Sequence, residues 1–165
     1  MDRIVDVAQY IFDEYKKISG EVIDEMKLHK LLYFSQRESI AITSDPMFRE
    51  EFEGWKYGPV SRIVRYCFTQ DGMFIEDGIK EISDENKYIA KNVILQYGGF
   101  ASWKLSELSH KEQSWANSRC GIQNGQNGSQ KILLEDIRKD AEKVRPYDSV
   151  WDMYYDEFED VEEIL

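Results

Sequence analysis

Between Asp24 and the Asp45-Pro46 step, Met26, Leu28, Leu31, Leu32, Ser35 and Ile42 fall on more than one face of any helix drawn through them. A surface helix needs one apolar stripe, so a helix with apolar or small residues on several sides must be touched by neighbours on several sides. This segment is therefore expected to be the central helix of a helical fold. It ends before the proline, because a residue preceding proline disfavours helical backbone angles.

Its neighbours come from both flanks. Ile4, Val7, Ala8, Ile11, Phe12 and Tyr15 recur at helical spacing between Asp2, a candidate N-cap, and Gly20, a stop. Ser83 is expected to cap a helix carrying Tyr88, Ile89, Val93, Ile94 and Tyr97, closed by Gly98-Gly99. ASWKLSELSH and EQSWANSR read as two short helices or one bent one, GIQNGQNGS as a loop. A last helix starts near Ser129, carries Ile132, Leu133, Ile137 and Ala141, and stops before Pro146.

Two stretches break this texture. EEFEGWKYGPV predicts a short strand or extended turn feeding a helix that has Pro59 at its first position and carries Val60, Ile63, Val64, Cys67 and Phe68. GMFIEDGIKEIS predicts a small hairpin around Asp77-Gly78. The expected fold is mainly α (α+β), a bundle of about six to seven helices with a small β-hairpin or short-strand element. It occupies residues 1–146, and an acidic, aromatic segment occupies 147–165.

The net charge of −11 is concentrated at that end: residues 148–165 hold eight carboxylates and no Lys or Arg, leaving −3 on the rest. An acidic surface argues against direct nucleic-acid binding, which needs cations to meet phosphates. Within the acidic segment Trp151, Tyr154, Phe158, Val161 and Leu165 form one stripe at helical spacing, which either docks on its own domain or meets a basic partner. No stretch reads as a signal peptide or membrane span, so a cytoplasmic protein with reduced Cys67 and Cys120 is expected. Two cysteines and two histidines without close spacing give no metal site, and no phosphate loop or nucleophile motif implies a cofactor.

Three blocks, KLHKLLYFSQ at 27–36, FEGWKYGPV at 52–60 and LSELSHKEQSW at 105–115, together resemble the SocA-like Panacea domain family, found in toxin–antitoxin loci and phage-associated genes. The chain has Gly54 where the family commonly has Ala, Ser109-His110 where it has Thr-His, and Ser114-Trp115 where it has Pro-Trp. The resemblance implies an antitoxin that neutralises a co-encoded toxic protein by direct contact, in some members handing it to a protease.

In these blocks Leu28, Leu31, Leu32 and Leu105 read as core, and Lys27 and Lys30 as solvated or paired with a carboxylate. Gly54, Gly58 and Pro59 set a tight backbone path, with Ser109 retaining a hydroxyl at its position. Candidate partner-binding residues are Tyr33, Trp55, Tyr57, His110 and Trp115, with Trp151, Tyr154 and Phe158 in the acidic segment. Two other readings stay open: a small enzyme using Tyr33, His110 and Glu112 in a cleft lined by Trp55 and Trp115, and an inhibitor or adaptor acting through the acidic segment. Convergence of those three side chains on one concave site would favour the enzyme; separate satisfaction would favour binding.

Overall fold

The computed structural model describes residues 1–123 and 125–145, so the acidic segment with Trp151, Tyr154 and Phe158 lies outside the described residues. The first two helices are α1 (Ile4–Ser19) and α2 (Glu25–Thr43). Asp24 opens α2 by accepting a hydrogen bond from the Lys27 amide, which satisfies one of the free N–H groups of its first turn. Every residue from Lys27 to Ile40 is buried. Met26 and Ile42, counted above among its inward residues, lie at its two ends and are exposed.

Next come an antiparallel hairpin, β1 (Glu53–Trp55) with β2 (Gly58–Val60), and the short helix α3 (Arg62–Cys67). A second hairpin, β3 (Phe68–Thr69) with β4 (Gly72–Met73), is followed by α4 (Asp84–Tyr97), α5 (Ser102–His110), α6 (Gln113–Ser118) and α7 (Leu134–Glu142). Helix α2 packs against α1, α4, α5, α7 and β2, as its many-sided apolar pattern requires. The core is one cluster that includes Ile4 and Ile11 of α1, Leu28 and Leu32 of α2, Val93 of α4, Leu105 of α5 and Ile137 of α7. The fold is mainly α with a little sheet.

Four local expectations are corrected. Asp2 does not cap α1; its carboxylate accepts from the Ser83 amide and Asn86 Nδ2 at the start of α4, while Glu50 accepts from the Ile4 amide. Pro59 sits within β2 rather than opening a helix, and Ser61 caps α3 by accepting from the Val64 amide. Asp77-Gly78 forms a turn gripped by the Arg3 guanidinium, and the hairpin lies earlier, at Phe68–Met73. Residues 129–133 are extended rather than helical, because the Gly54 amide donates to the Gln130 carbonyl and the Ile132 amide to the Phe52 carbonyl, both at 2.8 Å. The helix starts only at Leu134.

Cys67 is buried, Cys120 is exposed, and both are free thiols. Among the described residues no helix is long and apolar enough to cross a membrane, and no cluster of His, Cys, Asp and Glu could hold a metal ion.

Candidate functional site

The β1–β2 corner is shaped by what its glycines lack. A Cβ on Gly54 would stand 1.8 Å from Ser118 Oγ, so β1 and α6 approach closely only because position 54 has no side chain. Gly58 has φ +120°, a backbone conformation that L side chains rarely adopt, and a Cβ there would stand 2.4 Å from Ser109 Oγ and 2.6 Å from Lys30 Cε. The hairpin carbonyls are then taken one by one: Trp55 by Trp115 Nε1 at 2.8 Å, Tyr57 by Ser106 Oγ at 2.8 Å, and Pro59 by Lys30 Nζ at 3.3 Å. Gly58→Ala is expected to lower unfolding free energy by about 2 kcal/mol through backbone strain and overpacking, read from urea denaturation. An unchanged midpoint would mean that Ser109 and Lys30 give way freely.

Under this corner lies a cavity of about 610 Å³, with Met26, His29, Lys30, Trp55, Tyr57 and Arg65 in its walls. Trp55 is half-buried and lies beneath two guanidinium groups, with Arg65 5.3 Å and Arg62 5.6 Å from its ring centre. Tyr57 is 54% exposed. His29 Nδ1 accepts from the Ser61 amide, which puts the proton of the neutral ring on Nε2, 3.2 Å from Glu25 Oε2. Burial lowers the His29 pKa and so favours that neutral ring. Glu25 also accepts from Arg65 Nη1 at 3.0 Å, and the two partners hold its carboxyl below the usual range.

Lys27 and Lys30 are corrected from the surface to the interior, being 8% and 1% exposed. Their acceptors are main-chain and phenolic oxygens rather than carboxylates. Lys27 donates to Tyr15 Oη at 3.1 Å and to the Gly98 carbonyl, at the end of α4, at 3.0 Å. Lys30 donates to Pro59 alone among the described residues, and no described carboxylate lies within 4.0 Å of its ammonium. Burial pushes its pKa down to about 8.

The three residues of the enzyme reading are engaged separately. Tyr33 is fully buried, its hydroxyl 2.6 Å from Ser114 Oγ, and burial raises its pKa well above the ordinary phenol value. Glu112 pairs with Arg37, which also binds Glu38 at 3.0 Å and Tyr97 Oη at 2.8 Å. His110 is exposed, hydrogen-bonded to the Lys56 backbone, and stacked on Trp115 with 4.0 Å between ring centres and 10° between planes. Trp115 itself is 7% exposed. None of the three belongs to the cavity wall.

Leu28, Leu31, Leu32 and Leu105 are fully buried, and Ser109 donates to the Ser106 carbonyl within α5. Sequence reasoning missed His29, Arg37, Glu38 and Asp140. Asp140 accepts from the Gln113 and Ser114 amides and so caps α6 from α7. The available signal for Arg37 and Glu38 was their position inside an otherwise buried helix, where a charge needs a partner.

A family model described as "Antitoxin SocA-like, Panacea domain" matches residues 28–116, from α2 through most of α6. The chain is also similar to a protein named Antitoxin SocA from Caulobacter vibrioides (strain NA1000 / CB15N), with 38% identity over 50 residues. That stretch is 30% of this chain and 27% of the relative's length. No solved structure matches the chain.

Proposed function

The chain belongs to the SocA-like Panacea domain family, and from this we infer that it is an antitoxin-like binding module that neutralises a toxic partner protein by direct contact. The observation that carries this reading is the division of roles around the corner. Trp55 and Tyr57 are presented at an open cavity, whereas Tyr33, His110 and Glu112 are each satisfied elsewhere. Aromatic anchors beside a cavity are what dominates the energy of a protein interface. The acidic balance of the chain suits a basic partner, because complementary fields steer encounter and disfavour wrong ones. We assign the acidic segment, with Trp151, Tyr154 and Phe158, to that same contact. Delivery of the bound partner to a protease belongs to this reading as a later step.

The test is stoichiometric titration of protection against the partner encoded beside the gene. Neutralisation should rise in proportion to complex formed and stop at equivalence, without turnover. Trp55→Ala with Tyr57→Ala is expected to weaken partner binding about 30-fold or more, each being an anchor worth at least about 1 kcal/mol. The double variant should keep its melting temperature, because neither side chain is in the core. His110→Gln should leave protection intact. Protection lost in His110→Gln while partner binding is normal would instead support catalysis.

A further inference from the structure

We propose that the cavity beneath the β1–β2 corner is a socket for one acidic residue of the partner protein together with its apolar or aromatic neighbour, with Lys30 taking the carboxylate. This rests on the contact reading and adds the chemistry of the group bound.

A space of about 610 Å³ is large enough for two side chains and too small for a folded element. Its walls divide into an apolar part, formed by Met26, Val60, Trp55 and Tyr57, and a charged part. Arg65 is already paired with Glu25 and lies against Trp55, Lys56 stands over the Tyr57 ring, and the neutral His29 is held between Ser61 and Glu25. Lys30 differs from all of these. It is nine-tenths or more buried, offers three N–H donors and spends one, on the Pro59 carbonyl.

The contrast with Lys27 separates a structural lysine from a receptive one. Lys27 is also buried but has two oxygen acceptors and closes the end of α4, away from the cavity wall. Asp24 and Glu25 act on the Lys30 ammonium only through space, and Glu25 is already held by His29 and Arg65, so a directly bonded carboxylate is the natural complement of this wall. The wall holds three cations, Lys30, Lys56 and Arg65, against the one carboxylate of Glu25, so a cationic side chain meets net repulsion, and a purely apolar one leaves the Lys30 ammonium without a directly bonded carboxylate. An acidic residue beside an apolar one satisfies both parts. The partner as a whole is expected to be basic, so this acidic residue is a local exception that fixes register, while the long-range field speeds encounter.

The experiment titrates the isolated protein with the capped dipeptides acetyl-Phe-Asp-amide and acetyl-Phe-Asn-amide, followed by backbone and indole amide NMR. The Asp peptide is expected to shift the Trp55 indole, Tyr57 and Gly58 resonances saturably and to bind about ten-fold more tightly than the Asn peptide, as one charge-assisted hydrogen bond would give. Lys30→Met, checked for a cooperative thermal transition, should bind both peptides equally. Lys56→Met, which removes a half-buried charge from the same wall, should keep most of the preference. Equal affinity for the two peptides in the parent, shifts confined to other surfaces, or no saturation would overturn the assignment. A preference that survives in Lys30→Met would overturn it as well. No partner is used in this titration, so its failure sinks the socket alone. The Trp55 and Tyr57 double variant tests contact with the partner separately.

Discussion

Arg37→Met is expected to lower the unfolding free energy by roughly 3–5 kcal/mol near neutral pH, the usual consequence of removing one member of a buried ion pair. Arg37 is 4% exposed, and its guanidinium meets two carboxylates that are themselves almost out of water, Glu38 at 4% and Glu112 at 12%. It also lies 4.8 Å from the centre of the Phe34 ring and donates to Tyr97 Oη. Methionine replaces the stem but not the charge, so two acidic groups remain with their cation gone. Burial already raises the Glu112 pKa, with Asp140 adding to it and Arg37 opposing it.

Without Arg37 that pKa rises further. A carboxyl whose folded pKa lies above its unfolded value contributes stability below the unfolded pKa, and this is lost as pH rises through the folded one. The deficit of the variant should therefore be largest at about pH 7.5 and shrink towards about pH 4.5, as the buried carboxyls take up protons. Urea denaturation of both proteins at the two pH values measures it. A loss that is small, or equal at both, would show that the carboxylates are solvated well enough to do without the arginine.

Lys30→Met should move stability in the opposite direction, raising it by about 2 kcal/mol or more at neutral pH. The Lys30 pKa falls from 10.5 to about 8 on folding, so its charged form is less favourable in the folded chain. That penalty is fully present below about pH 8 and is relieved as pH climbs towards the unfolded value, because the unfolded chain then holds the extra proton. Methionine retains most of the apolar stem that packs against Gly58 and forgoes the ammonium. The gap between variant and parent should thus narrow between about pH 8 and about pH 10.5. The difference is the quantity to read, since the buried tyrosines titrate in both proteins over the same range. A variant that is stabilised yet blind to the acidic dipeptide is what a residue retained for binding would produce. A destabilised variant would mean that the Pro59 hydrogen bond outweighs the charge penalty.

What the sequence made legible was local. The many-sided pattern of 24–44 requires a central helix, and α2 is central; the Ser83 cap and the Gly20 stop stand where short-range rules put them. The unread parts depend on partners far away in the chain. Lys27 is satisfied by Gly98, Arg37 by Glu112 and the start of α4 by Asp2, and the one bond that Lys30 makes goes to Pro59, separations of 71, 75, 81 and 29 residues. Local chemistry reads a lysine as solvated because it contains no record of the carbonyl that will meet it. Pro59 failed for a related reason. Its fixed φ suits a helix start as well as a strand, and pairing with β1 decided between them. Of the candidate site, Trp55, Tyr57, Gly58 and Lys30 come together as neighbours of one cavity or its rim, while Tyr33 and Trp115 are placed in the interior.

The run of extended backbone at 129–133 determines how the corner can be recognised at all. By hydrogen-bonding alongside β1, through Gly54 to Gln130 and Ile132 to Phe52, it occupies the main-chain groups that an incoming strand would use. On the other side β2 has Pro59 at its centre, which has no N–H to give, and its carbonyl is taken by Lys30. Both margins of the ribbon are closed to β-augmentation, the mode in which a peptide gains affinity from main-chain bonds whatever its side chains. A partner must therefore be chosen by its side chains, so specificity at this corner can drift by single substitutions without any change in the backbone that presents it.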